Sequence, residues 1–429
     1  MILTIKNKFI DRICEIYDGT DEELTVSGFR DSHCHLMWLG MKIKGLDLEG
    51  SKSPMEVINL CLEYQKKNNS NWIVGRGWNN EDWDISDLPT AELLDVYFPD
   101  NPVCLKRIDG HAVWLNSKAL EIADINSESK DPDGGKIIKY DDGKPNGILV
   151  DNAIDLVEVK ISDASDDELI NYILSAQDEC LNYGLLEVHD MDVHLDWLPI
   201  FDFLAKENKL KLNIKSYIRG FDSEFIKLGI KPYRINNLEI VGLKFFADGA
   251  IGSRGAKLLE DYSDEPENDG IYLIDKNDFI RLSLEGAKLG FEIATHAIGD
   301  AANRFVLDVY EELRTQNVDV PLRIEHCQMV HPDDLLRFKK LKIHAAIQPI
   351  HCISDRFMAF KRLGARVSYS YPWSSLFELG IKVSGGSDFP IESPDPILGI
   401  NAFVKNDIIW QQREILSVKN AFDIYGVFK

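Results

Sequence analysis

The sequence lacks any uninterrupted apolar run of the roughly 18 residues that a membrane-spanning helix needs, so no such helix is predicted. Its first stretch, MILTIKNKFIDRICEIYDG, carries scattered charges and no apolar core ending in small residues, which makes it a poor secretory signal. Positive charge is scarce: 48 Lys and Arg stand against 71 Asp and Glu, a formal charge of -23. Nucleic acid and anionic membranes both need clustered cations to neutralise phosphate, and this balance argues against either as a partner. A small-molecule ligand fits better, and a homodimer stays open. Cysteine is sparse as well. The seven, Cys14, Cys34, Cys61, Cys104, Cys180, Cys327 and Cys352, are odd in number and form no CxxC pair, which reads as the reduced thiols of a cytoplasmic protein.

What is present is an alternation. Short apolar runs, GLLEVHD, LNIKSYIRG, LEIVGLKFFADG, FEIATHAIGD, PLRIEHCQ, KIHAAIQPI and IKVSGGSDF, alternate with helical patterns such as 278–289 and 302–313. That is the signature of parallel strands joined by crossover helices. With FRDSHCHL as the first strand the count reaches eight, and eight suggest an α/β fold closed into a (β/α)8 TIM barrel, whose functional residues gather at the C-terminal strand ends. Between the first and second strands lies a stretch from about 40 to 180, too long to be structureless. We read it as an inserted subdomain able to cover the barrel mouth, within a main domain over 28–403. Residues 1–27 and 404–429 are too short to be independent domains, and the latter reads as a helical tail.

The polar residues fall at those strand ends. His33 and His35 close the first strand, two apart and therefore on one face. Lys244 lies near the end of the fourth, His296 ends the fifth, His326 the sixth and Asp388 the eighth. Imidazole nitrogen and carboxylate oxygen suit zinc or another divalent first-row metal, and a catalytic site keeps one position open for water. Any one histidine alone would more often be structural; together, at equivalent positions, they point to a metal site. His189 could reach that site or only bond Asp190, and His331, His344 and His351 read as structural or surface residues, with His351 able to line the mouth. Lys244 has apolar neighbours and two readings that stand level: an ion pair with Asp248 or another carboxylate, or carboxylation by carbon dioxide into an anion that bridges two metals.

Ordered motifs run from Gly28 to about Phe403: GFRDSHCHL, GRGWNNEDW, DGHAVWLNSKAL, KFFADGAIGSRGAKLLEDYSDEPENDGIYL, THAIGDAANRFVLD, RIEHCQMVHPDDLLRF, QPIHCISD and GSDFPIESPDPILGI. In these the sequence resembles the amidohydrolase superfamily, in the branch that contains N-substituted formamide deformylase. The resemblance implies a metal-bearing barrel with His33, His35, His296 and His326 as ligands, Asp388 as ligand and proton shuttle, and one or two ions, zinc foremost. It makes Lys244 the fourth-strand ligand and tips that residue towards carboxylation. The family's small terminal β-sandwich is expected to be reduced or absent here, with 1–27 as its remnant.

The implied reaction is hydrolysis of a carbon–nitrogen bond of the amide, N-formyl or cyclic amide kind. Metal-bound water would ionise near a pKa of about 7, and Asp388 would pass its proton to the leaving nitrogen. Trp78, Asn79, His111 and Arg254, in loop-like or inserted segments, are the substrate-binding candidates. Of these, His111 or Arg254 could donate to a developing oxyanion; packing of Trp78 in the subdomain core and a surface ion pair for Arg254 are the alternatives. Ester hydrolysis, deamination or isomerisation on the same site competes with this reading, as does a protein that keeps the metal for binding alone.

Overall fold

The computed structural model describes residues 28–67, 71–83, 88–108, 110–132, 134–161, 164–221, 223–405 and 407–427. The remnant expected over 1–27 lies outside them. The chain divides into two compact units, one made of the residues up to Leu39 together with Leu169–Lys429, the other of Gly40–Glu168.

The first unit holds the eight strands expected from the sequence: β1 Gly28–Cys34, β2 Leu185–Val193, β3 Asn213–Arg219, β4 Leu238–Phe246, β5 Glu292–Ala297, β6 Leu322–His326, β7 Ile343–Ile347 and β8 Val383–Gly385. Each pairs in parallel with the next. The ring closes from β8 to β1 through individual bonds: Ser32 Oγ donates to Gly385 O over 2.8 Å, and Asp388 N donates to His33 O over 2.8 Å. Such close approach needs glycine. A Cβ at Gly386 would lie 2.6 Å from His33 N and 2.8 Å from Asp31 Oδ1.

Helices clothe the outside, as parallel strands buried on both faces require. β6 is buried along its whole length, and its apolar residues Leu322 and Ile324 alternate with Arg323 and Glu325, which occupy the opposite face. The helix Asp166–Asn182 buries Ile173, Ala176 and Cys180, and Gln177 Oε1 accepts from Lys211 N over 2.6 Å at the entry to β3. The residues to about 180 are therefore split between the two units. At the other end, the helix Val418–Tyr425 leads to Gly426 and Val427, which run antiparallel to Gly28 and Phe29. Tyr425 Oη donates to Gly386 O over 3.2 Å.

The second unit is built on a six-stranded sheet of 46–47, 73–78, 103–107, 112–115, 145–151 and 135–139, in that spatial order. One of its apolar clusters contains Trp78, Trp83, Trp114, Phe98 and Leu105. A second, with Val113, Leu115, Ile137 and Leu149, takes alternate residues of the same strands. Among the described residues no helix is long and apolar enough to cross a membrane.

Candidate metal centre

The barrel brings the expected residues to one rim. His33 and His35 do share a face: Asp388 Oδ1 lies 3.5 Å from His33 Nε2 and 3.1 Å from His35 Nε2. The His326 ring centre is 4.7 Å from that of His33 and 4.4 Å from that of His296. Lys244 Nζ lies 3.4 Å from His33 Nε2 and is fully buried. Two sets have donor atoms all within 4.8 Å of one another, His33–His35–Asp388 and His326–His351–Asp388. Asp388 belongs to both.

Backbone geometry aims these groups. In a strand, Glu325 and His326 should point to opposite faces. Glu325 Oε2 accepts from His33 Nδ1 over 2.6 Å, so His326 would be directed away from the site. Instead His326 and Cys327 adopt φ of 73° and 47°, a left-handed turn that returns the imidazole to the rim, and Asp388 has φ 62°. For residues other than glycine that conformation costs about 1–3 kcal/mol each, and it persists where the surroundings over-determine it. Asp31 is one such constraint: its carboxylate accepts from His33 N, Ser387 N and Ser387 Oγ, tying the ends of β1 and β8 together. Burial pushes the Asp31 pKa up to about 7 against those bonds.

The donor set suits a metal ion. The Nδ1 atoms of His33 and His35 are taken by Glu325 and by Met191 O at 2.9 Å, which leaves both Nε2 lone pairs facing Asp388. Such outer partners fix a ligand's tautomer and orientation. Burial first, then the Lys244 charge, holds His33 well below the usual histidine range; burial first, then His296 and His33, does the same for His326. Burial lowers His296 to about 3. Neutral imidazoles are the coordinating form. Burial alone would raise the Asp388 pKa, but the surrounding imidazoles hold it well below the carboxylate range. Of these His35, 3.1 Å away, has its own pKa raised, against burial, by Asp388, so the two share a proton while His33, His296 and His326 stay neutral. His326 Nδ1 is buried with no hydrogen-bond partner, an orphan that an ion would satisfy.

His351 differs. Gln328 Nε2 donates to its Nδ1 over 3.2 Å, which puts the ring proton on Nε2, 3.9 Å from Asp388 Oδ2. In that tautomer Nε2–H faces Asp388 beyond hydrogen-bond reach, and Nε2, like His326 Nδ1, is buried without a hydrogen-bond partner. The sequence placed it at the mouth without a role. Arg323 and Glu325 were not singled out at all. Arg323 is buried, donates to Glu325 Oε1 from Nε over 2.8 Å and to Ser32 O from Nη2 over 2.8 Å, and so locks the carboxylate that orients His33.

Lys244 makes no ion pair among the described residues. Asp248, the partner considered for it, instead accepts from the backbone of Ile298, Gly299 and Lys257. Burial lowers the Lys244 pKa, which favours the unprotonated amine that can attack carbon dioxide.

The substrate-binding candidates fare differently. Trp78 is fully buried, donates to Leu105 O over 2.7 Å and stacks on Trp83, so the expectation that it meets substrate is corrected: it is core. Asn79 Oδ1 accepts from Glu81 N over 3.3 Å and from Arg107 Nη2 over 3.1 Å, at the start of a short 3-10 turn. Arg254 pairs with Asp264 at 3.0 Å and Glu265 at 2.8 Å, the surface ion-pair alternative. His111 is exposed, with Nδ1 2.8 Å from Asp151 Oδ1. His189 accepts from Arg323 Nη1 over 2.8 Å and lies inside the barrel below the rim.

The profile of the amidohydrolase family matches residues 22–427. The chain belongs to that family. LONG AFTER FAR-RED 3 of Arabidopsis thaliana is 33% identical to this amidohydrolase over 435 residues, covering 95% of this chain and 74% of its own. N-substituted formamide deformylase of Arthrobacter pascens is 25% identical over 391 residues, covering 86% and 71%. The crystal structure of an uncharacterized metal-dependent hydrolase from Pyrococcus horikoshii superposes with a TM-score of 0.79 at 30% identity, over 94% of this chain and 80% of that one. Family membership and this likeness support a metal-dependent hydrolase with a divalent ion among these residues.

Proposed function

We propose that this amidohydrolase cleaves an amide-type carbon–nitrogen bond of a small molecule, N-formyl and cyclic amides included. The observation that supports the reading best is Asp388, a buried carboxylate with Oδ1 3.1 Å from His35 Nε2 and 3.5 Å from His33 Nε2. The relative that acts on N-substituted formamides, by its name, adds weight to the bond class.

His33, His35, His296, His326 and Asp388 would hold the ion, zinc first among candidates. Carboxylated Lys244, formed when its free amine adds to carbon dioxide and loses a proton, would supply further oxygen ligands. When bound, the ion acidifies a water and polarises the substrate carbonyl. Asp388 would accept a proton from the attacking water on a carboxylate oxygen and deliver it to the leaving nitrogen. His35 Nε2, 3.1 Å from Asp388 Oδ1, positions the carboxylate. Glu325 keeps the His33 proton on Nδ1 throughout. The described cysteines are all free and buried, which agrees with the cytoplasmic reading.

The test is metal content and turnover across amides, esters and lactones after purification with bicarbonate and zinc or manganese. Turnover of amides, reduced by a factor of about 10²–10⁴ in Asp388→Asn with metal retained, is the expected result. Turnover confined to esters or lactones would overturn the bond class. Two ions in the wild type and fewer in Lys244→Ala is the expected signature of a lysine-bridged pair; equal content in both would remove Lys244 from the ligands.

A further inference from the structure

The end of the barrel opposite the metal centre also carries a site. At the N-terminal strand ends a cavity of ≈ 420 Å³ opens, within the size range of small-molecule pockets. Its rim is basic in an otherwise acidic chain. Lys339 and Lys342 come from the helix Leu335–Leu341 and the turn after it, Lys382 from the approach to β8, and Lys215 from β3. Lys215 has a counter-ion, Glu187 Oε1 at 3.6 Å. The other three form no ion pair among the described residues, although the chain has 71 acidic side chains to offer.

Deeper in, the cavity meets Arg323, but that guanidinium is matched by Glu325 and contributes little net charge. Glu292, the one carboxylate on the lining, already accepts from Tyr217 Oη over 2.6 Å. Tyr217 is a neutral donor, so Glu292 keeps its negative charge, and the three unpaired lysines outweigh that single carboxylate at the opening. Between the lysines the walls are apolar, with Leu322, Phe338 and Ile381.

We propose that this cavity binds a small organic anion, a phosphate- or carboxylate-bearing molecule with a compact apolar body. The lysine ammonium groups hold the anionic head, and the apolar wall takes the body. Being a point-charge site at the surface, it weakens as ionic strength rises. It stands apart from the metal centre, so its occupancy is read without reference to turnover.

The experiment is calorimetric titration of the whole chain with phenylphosphonate, benzoate and inorganic phosphate, against chloride at matched ionic strength. One saturable site per chain for phenylphosphonate or benzoate, weakened about tenfold or more in Lys339→Gln/Lys342→Gln/Lys382→Gln, is the expected outcome. Phenylphosphonate bound with benzoate ignored would assign a phosphate head, and the reverse a carboxylate. The glutamines keep most of the exposed stems, so an unchanged unfolding midpoint is expected without ligand; if the triple variant misfolds, Lys382→Gln alone carries the comparison. No saturable binding by any of the three anions overturns the proposal. So does binding of equal strength in the variant, since an anion on the metal centre would not feel these lysines.

Discussion

Glu325→Gln is the sharpest perturbation the barrel offers. Glu325 is fully buried and serves two partners: it pairs with Arg323 Nε at 2.8 Å and Nη2 at 3.2 Å, and accepts from His33 Nδ1 at 2.6 Å. Glutamine preserves shape and one oxygen but removes the charge. Arg323 is then a buried cation without a counter-ion, and breaking such a pair costs about 3–5 kcal/mol, a large share of the about 5–15 kcal/mol that holds a typical native protein. His33 also loses the anionic partner that fixes its tautomer, which for metal-ligating histidines costs about 10–100-fold in metal affinity. Two assays read these effects apart: urea unfolding of the metal-free protein, and zinc titration against a chelator of known affinity. In Arg323→Met/Glu325→Gln no unmatched charge remains, so its stability loss should fall below the sum of the two single losses. A Glu325→Gln variant within about 1 kcal/mol of wild type and with zinc affinity unchanged would refute the reasoning.

Three further outcomes are expected. Trp78→Ala should cost about 3–5 kcal/mol, read by unfolding, while metal content stays at the wild-type level, because Trp78 packs on Trp83 and Trp114 in the core of the second unit. Gly386→Ala should lower metal content after purification, since its Cβ would come within 2.6 Å of His33 N and force β1 and β8 apart. His189 is held at about 3 by burial first, so between pH 6.5 and 4.5 the folded state binds fewer protons there than the unfolded state. Its contribution is full above pH 6.5 and drains by up to about 1.4 kcal/mol per pH unit as pH falls; His189→Asn should flatten the metal-free stability curve in that window, and an unchanged slope would exclude the assignment.

The barrel was legible because its signal is local. Each strand is a short apolar run with turn residues after it, and all eight were found from that pattern alone. The rim residues were legible by the same rule, since a strand's last residue is necessarily at the barrel mouth. Trp78 misled: it stood among the substrate-binding candidates, whereas it is buried in the second unit beside Trp83. Sequence spacing cannot separate an aromatic cluster facing inward from one facing a ligand, as both are apolar and dense.

Arg323 and Glu325 were missed for a different reason. Their strand, LRIEH, ends on the histidine expected as a ligand, and the identities of the two charges before it do not by themselves say whether they face water or the interior. The pattern held a usable signal: in a sheet covered by helices on the outside, a residue that alternates with Leu322 and Ile324 must face the barrel interior. A charge there is tolerable only if it is matched, and Arg323 and Glu325, two apart, lie on the same face and match each other. Read that way, the strand predicts an internal ion pair just beneath the metal ligands. The left-handed turn at His326 is what allows one strand to present both that carboxylate and a rim imidazole, and alternation alone forbids it. The departure from strand geometry is thus where the site is made, and no periodicity in the sequence could announce it.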